Sequence, residues 1–436
     1  MPNISTASAT IESAATTGPQ KSYGGALAVV TTLFFMWGFL TCLNDILIPH
    51  LKSIFDLNYA QTMLIQFAFF GSYFIFSVPS AKLIDWIGYQ RSMVVGLLTM
   101  GVGAFLFVPA ASVPSYPLFL GALIVLAAGI TCLQVAANPY VTVLGKPETA
   151  SSRLNLTQAF NSLGTFLAPF FGGVLILSAV AKTMAEIRAL PPEALQAYRL
   201  HEAATVKTPY VGLGIALVLL AIAIGSFKLP KIEHAQHRVG EHVNDSIWKH
   251  PSLIFGAVAI FVYVGAEVSI GSFLVNYFSQ PEIGGLTEKA AANLVAFYWG
   301  GAMVGRFIGS GLLQKMKTGH LLGICAICAA SLVGISMLSN GHLAMYSIIL
   351  VGFFNSIMFP SIFTLGVAEL GPLTGDGSGL LIMAIVGGAM IPLAQGAIAD
   401  RIGIHHAFFL PVLCYLYILF FALSGSKPNS ERYARA

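Results

Sequence analysis

Three ionisable side chains sit in stretches otherwise suited to the interior of a bilayer: Asp45 in CLNDILI, Glu267 in GAEVSIG and Arg306 in GRFIG. A charge in hydrocarbon is costly, and those that persist there face a bundle interior or an aqueous path and serve a function. A carboxylate at that depth can bind a proton or a hard cation such as Na⁺, which takes oxygen ligands. Asp45 is therefore read as an ion-coupling group. Glu267 is read as a second coupling group or a ligand-binding one, with a gate between two halves as the structural alternative. The long stem of Arg306 can snorkel, and a gating or anchoring ion pair is expected there. Amides form a second set. Gln134 and Asn138 are four residues apart, and Gln158 and Asn161 are three apart, so each pair shares one helix face. Each amide both donates and accepts, which suits the hydroxyls of a polar ligand, although amides also tie helices together. Asn276 and Asn355 offer further amides. Tyr298 and Trp299 offer rings for the apolar face of a ligand or for bundle packing.

These groups need a scaffold, and the composition says which kind. The chain has 436 residues, of which 9% are charged and 56% hydrophobic. Soluble domains carry about 25% charged residues. A soluble enzyme, a disordered chain and a nucleic-acid binder are excluded, and the bilayer is the implied partner. A spanning helix needs about 20 mostly apolar residues. Twelve such runs are legible, at 25–49, 60–84, 91–111, 116–145, 153–180, 209–228, 250–279, 288–314, 320–338, 342–370, 374–400 and 403–425. The expected fold is an all-α membrane protein of twelve transmembrane helices in two six-helix bundles, at 25–228 and 250–426. Residues 1–24 and 427–436 form cytoplasmic tails, and the polar segment 229–249 forms a cytoplasmic linker. Residues 1–24 do not read as a cleaved signal, because the apolar run after them is too long. With the N-terminus inside, cytoplasmic segments hold roughly twice the Lys and Arg of the opposite side, as the positive-inside rule requires.

Several motifs carry bland readings. Cys325 and Cys328 form a CxxC within an apolar helix and read as small packing residues. His234, His237, His242 and His250 flank the linker and read as a solvated segment rather than a metal site. Gly300-Gly301 and Gly387-Gly388 lack a following phosphate-binding Lys and read as close helix contacts. His50, His320, His342, His405 and His406 all fall at helix ends, which argues against an intramembrane hydrolase. No metal and no cofactor is expected beyond a coupling H⁺ or Na⁺, and a monomer is expected.

The chain also repeats itself. NPYVTVLG, with Pro139 and Gly145, returns as FPSIFTLG, with Pro360 and Gly366, 221 residues later. AKLIDWIG (81–88) returns as GAIADRIG (396–403). Six-plus-six halves built from three-helix units suit alternating access about a central site.

Twelve helices, a central linker and the D-x-x-G signals resemble the major facilitator superfamily. The GxxxDRxG form is complete at Gly396, Asp400, Arg401 and Gly403. It is degenerate at Ala81, Asp85 and Gly88, where Trp86 replaces a basic residue. Asp85, Arg306, Asp400 and Arg401 are accordingly expected in gating or structural roles. LNDILIPHLK (43–52), AANPYVTVLG (136–145) and RLNLTQAFNSLG (153–164) resemble the fucose permease family, and GAEVSIGSFLVNY (265–277) is similar to its glucose/galactose branch. The resemblance implies cation-coupled uptake of a monosaccharide across the bacterial inner membrane, with Asn44 and Asp45 among the site residues. It also implies a departure. Fucose-transporting members carry Glu where this chain has Gln134, and a neutral amide near the position of Glu267. The expected substrate is therefore a hexose such as glucose, galactose or mannose.

Overall fold

The computed structural model describes residues 23–55, 59–113, 115–175, 190–230 and 245–427, and all regular structure among them is helical. The elements are α1 (Gly24–Phe55), α2 (Tyr59–Ser112), α3 (Tyr116–Val143), α4 (Ala150–Leu175), α5 (Pro192–Thr205), α6 (Lys207–Ser226), α7 (Pro251–Phe278), α8 (Glu288–Leu312), α9 (Thr318–Leu338), α10 (Gly341–Asn355), α11 (Met358–Gly366), α12 (Thr374–Met383), α13 (Gly387–Ile402), α14 (Ile404–Ala407) and α15 (Phe409–Phe420).

Nine helical stretches among the described residues are long and apolar enough to cross a membrane, and one of them, Leu64–Ser112, is 49 residues long. It holds two spans, because Gly88 breaks α2 with φ 81° and ψ 168°. The more polar α4 and α8 complete twelve. Other expected spans are broken differently. The run at 342–370 divides at Ser356–Ile357 into α10 and α11, and the run at 374–400 divides at a 3₁₀ turn, Ala384–Val386, into α12 and α13. Gly403 repeats the backbone of Gly88, with φ 83° and ψ 154°. The echo between residues 81–88 and 396–403 is thus conformational as well as chemical. Its two copies lie at opposite ends of the bundle.

In the first half, α1 packs on α4, and α2 packs on α3 and α6. In the second, α7 packs on α11, α13 and α15, α8 on α10, and α9 on α10 and α15. Between the halves, α4 meets α8, and α12 meets α2 and α3. The linker joins α6 to α7, and the end of the bundle where it attaches is called the linker end below. Of the linker histidines only His250 is described. Its Nε2 lies 2.7 Å from Asp245 Oδ2, and this contact holds the Asp245 carboxyl below its usual range.

Glycines bring the helix backbones close. A Cβ at Gly129 would lie 2.5 Å from Met100 N. At Gly387 it would overlap the Phe261 carbonyl, as close packing requires. Gly300 faces open space, where a Cβ would meet nothing within 4 Å. At Gly38 a Cβ would overlap the Asn161 carbonyl and side chain, both on α4. Overpacking of this kind costs about 1–3 kcal/mol. Gly38→Val is expected to lower the thermal midpoint of detergent-purified protein measurably, whereas Gly300→Ala, with room for its methyl, should leave it unchanged.

Candidate functional site

The second half holds a buried polar cluster centred on Asn355, the last residue of α10. The Tyr415 hydroxyl of α15 donates to Asn355 Oδ1 at 2.8 Å. Asn355 Nδ2 donates to the Tyr298 hydroxyl of α8 at 2.8 Å, and that hydroxyl lies 3.3 Å from the Glu267 carbonyl oxygen. On α7, one helical turn before Glu267, the Tyr263 hydroxyl lies 2.8 Å from Glu267 Oε1 and 3.0 Å from the Asn355 carbonyl oxygen. Tyr263, Tyr298 and Tyr415 are fully buried and Asn355 is 1% exposed. Glu267 alone keeps part of its surface open. The cluster is a frame: three phenols and an amide saturate one another and hold one carboxylate. Trp299 remains 42% exposed. Its ring stands edge-on to Tyr298 at 5.1 Å and lies against Gly271, one turn beyond Glu267. Asn276 is exposed near the end of α7, away from this cluster.

The first half holds the amides. Gln134 Nε2 donates to the Tyr73 hydroxyl at 2.7 Å. Gln158 Nε2 donates to Asn138 Oδ1 at 3.4 Å, so α3 and α4 share a polar wall. Gln134 Oε1 and Asn138 Nδ2 are buried and have no protein partner. Asn161 Nδ2 donates to the Phe34 carbonyl oxygen at 2.9 Å, which ties α4 to α1. The side chains of Asn44 and Asp45 lie outside the described residues, and only their place on α1 is fixed.

The halves meet at the linker end. Arg306 Nε donates to the Ser356 carbonyl oxygen at 3.2 Å, and Arg306 Nη1 donates to the Ser162 hydroxyl of α4. Asn155 Nδ2 reaches back to the Arg306 carbonyl oxygen at 2.6 Å, and the Ser152 hydroxyl donates to the Ser310 carbonyl oxygen at 2.7 Å. Proline explains two of the acceptors. A proline lacks the N–H that would bond the carbonyl four residues earlier. Pro139 frees the Val135 carbonyl, which accepts from the Ser378 hydroxyl of α12 at 2.9 Å. Pro360 frees the Ser356 carbonyl, which Arg306 takes. The repeated prolines thus supply two acceptors for one seam. Lys82 Nζ closes the outer rim, 3.0 Å from Asp376 of the other half and 3.8 Å from Asp85. Asp400 and Arg401 lie exposed at the opposite end and do not join it.

Residues 26–391 match the family model of the Major Facilitator Superfamily. The chain belongs to the major facilitator superfamily. It is 55% identical over 411 residues to a glucose/galactose transporter of Brucella abortus, covering 94% of this chain and 96% of that one. It is 36% identical over 422 residues to the L-fucose-proton symporter of Escherichia coli, covering 94% and 95%. A crystal structure of the E. coli fucose:proton symporter covers 93% of this chain and all of that one, with 35% identity and a TM-score of 0.86. A structure of the transporter FucP in the outward conformation reaches a TM-score of 0.87 at 35% identity, with the same coverage.

As a major facilitator protein the chain crosses the membrane many times, and its polar groups sort by place in that fold. Glu267, Tyr298 and Asn355 meet in one cluster. Gln134, Asn138, Gln158 and Asn161 line α3 and α4. Arg306 joins the two regions, since it donates to Ser162 of the first half and to the Ser356 carbonyl, next to Asn355, of the second. Sequence reasoning missed Tyr73, Tyr263, Tyr415, Ser162, Ser378, Lys82 and Asp376. Two carried a signal: Tyr263 lies four residues before Glu267 on one helix face, and Lys82 lies three before Asp85. The others are brought in only by tertiary packing.

Proposed function

We propose that this protein is a cation-coupled symporter that imports a hexopyranose bearing a C6 hydroxyl, such as glucose, galactose or mannose, by alternating access. The observation that carries the reading is that each half of a membrane fold holds its own set of polar groups. One is an amide wall with unmet donor and acceptor atoms on α3; the other is a part-open carboxylate beside a part-open indole on α7 and α8. A carboxylate accepts two strong hydrogen bonds from a sugar diol, and an indole face packs against pyranose C–H groups. The relatives named for glucose/galactose and fucose transport support the substrate class. Asp45 is assigned the coupling ion, H⁺ or Na⁺. The Lys and Arg asymmetry of the sequence supports an orientation with the linker end and both termini in the cytoplasm of a bacterium, and the proposed bundles span 25–228 and 250–426. A linker end closed by the seam then matches a site loaded from outside.

The test is uptake of labelled hexoses into proteoliposomes under separately imposed H⁺ and Na⁺ gradients. Concentration above equilibrium under one gradient is expected. Equilibration alone, whatever the gradient, would identify an uncoupled uniporter. Unlabelled L-fucose is expected to inhibit weakly, because a site that bonds a hydroxyl rejects the analogue lacking it. Competition by fucose equal to that by the hexoses would overturn the specificity.

A further inference from the structure

A groove of about 880 Å³ runs along the first half between α1, α4 and α6. Ligand sites commonly measure about 300–1,000 Å³. α1 contributes residues from Gly24 to Met36, α4 contributes Leu156 and Phe160, and α6 contributes residues from Ala216 to Ala223. α1 packs along α4, while α6 packs on α2. The short side chains of Ala28, Ala216 and Ala223 leave the space between α1 and α6 unfilled. Every one of the thirteen lining residues is at least partly open. The groove therefore faces outward into the hydrocarbon of the bilayer, and none of the polar groups assigned above belongs to it.

Its chemistry excludes most occupants. Thr31 and Thr32 carry the only polar side chains in the lining. Each hydroxyl already donates to its own helix, to the Leu27 and Val29 carbonyls at 2.7 and 2.6 Å. A sugar or a peptide would leave its polar groups unmet there, and hydrocarbon tolerates no such loss. The length suits a hydrocarbon chain. From Gly24 to Met36 is about 18 Å at 1.5 Å per residue, and one leaflet of the hydrocarbon core is about 15 Å deep, half of the whole. The groove starts at the linker end, where α6 finishes, and runs inward by one leaflet. Its mouth is positive. Lys228, five residues after Ala223, is exposed. Tyr23, next to Gly24, exposes a ring of the type that collects at the membrane–water interface. Neither α6 nor α1 up to Met36 has an acidic residue. Gln90 Nε2 donates to the Ile224 and Phe227 carbonyls at 2.8 and 2.7 Å, which covers the negative end of the α6 dipole. An anionic phosphate meets attraction at this mouth, and an acyl chain meets carbon below it.

We propose that this groove is a binding site for an acyl chain of an anionic phospholipid from the leaflet at the linker end, with the headgroup phosphate on Lys228. The site lies outside the polar groups assigned to transport, so it stands whatever the cargo is. All of its walls belong to the first half. Phe160 also touches the second, where its ring meets Phe307 of α8 edge-on at 6.1 Å. A lipid held there takes the place of helix contact between α1 and α6 and completes the packing of that half from outside.

The test uses the full chain in phosphatidylcholine nanodiscs doped with phosphatidylglycerol that carries a photoreactive diazirine on its acyl chain. Adducts are mapped by peptide mass spectrometry. Their yield at Leu27, Phe35 and Leu220 is expected to exceed at least fivefold that at Ile222 and Leu338, which are as open to lipid but lie outside the groove. Ala28→Trp and Ala216→Trp, which fill the groove, are expected to remove the excess. Ile222→Trp, on the same helix as Ala216, is expected to keep it. Lys228→Gln should lower the groove yield from phosphatidylglycerol at least threefold and leave that from a phosphatidylcholine diazirine unmoved. Even labelling over the whole lipid-facing surface of the wild type would reduce the groove to ordinary bilayer contact and overturn the proposal. Equal groove yields from the two lipids would overturn the anionic headgroup. Native mass spectra of a dimer that excludes the probe would put a second copy in the groove and refute the lipid. The wild-type map decides the matter even if a filled variant fails to fold.

Discussion

Proteoliposomes carrying Asp45→Asn are expected to equilibrate labelled hexose without concentrating it, so the accumulation ratio falls from well above one to one. Asn fills the same volume on α1 and keeps a carbonyl oxygen, but it binds no proton and offers a cation no charge. Sugar passage then survives while its link to the gradient is lost. The comparison is Glu267→Gln. That change replaces the carboxylate proposed to accept from the sugar hydroxyls, held 2.8 Å from the Tyr263 hydroxyl, with a neutral amide. Hydrogen bonds to charged groups contribute about 1.5–3 kcal/mol, or roughly 10- to 150-fold in affinity at tenfold per 1.4 kcal/mol. Glu267→Gln should therefore raise the half-saturating sugar concentration and still concentrate sugar when saturated. Counterflow and gradient-driven uptake, measured on the same vesicles, separate the two outcomes. Full accumulation by Asp45→Asn would place the coupling ion elsewhere.

Arg306→Ala should shift the protein towards the state open at the linker end. The side chain donates to the Ser356 carbonyl on its own half and to the Ser162 hydroxyl on the other. No other cation among the described residues bridges these groups. Its removal leaves two buried acceptors short of a charged donor, a loss of about 1.5–3 kcal/mol. A change of that size moves a two-state ratio about 10- to 150-fold, enough to invert a modest preference for the closed seam. Spin labels placed on α4 and α8 near the linker end would report longer distances in the variant. Arg306→Lys, with charge but no fork, should fall between wild type and Ala. Unchanged distances in Arg306→Ala would mean that the remaining seam contacts, among them Asn155 to the Arg306 carbonyl and Ser152 to the Ser310 carbonyl, hold the seam without Arg306.

Much of the scaffold could be read from residues in order, because a bilayer imposes one length and one polarity on every span. Twelve runs were visible, as was the internal repeat. The breaks were less visible. Nothing in LVGFFNSIMFPS announces that α10 ends at Asn355, because the consequence of Pro360 falls on a carbonyl four residues earlier. The site divides in the same way. Asp45, Glu267 and Arg306 stand out because charge is rare in such sequence, and the paired amides stand out by spacing. The ring of phenols about Asn355 stands out only in part: Tyr298 and Asn355 were named as a ring and an amide, whereas Tyr263 and Tyr415 are ordinary residues in apolar helices, and all meet only when four helices converge. Asp376, in the first turn of α12, was silent because its partner Lys82 is 294 residues away, although Lys82 itself was signalled by its spacing from Asp85. Asp400 and Arg401 show the opposite failing: a complete motif whose charged pair stays apart from the seam.

The carbonyl that Pro139 leaves free has a consequence for the motion itself. In the alternating-access cycle proposed above, α12 withdraws from α3 and Ser378 leaves, and proline can never return a backbone donor to the Val135 oxygen. Bulk water has to supply it. Separation of the halves is then a hydration event, in which solvent advances along the seam as each protein donor retreats, and closure is a drying event. The exchange keeps the acceptor satisfied on both sides of the cycle, so neither state is penalised for a bare oxygen.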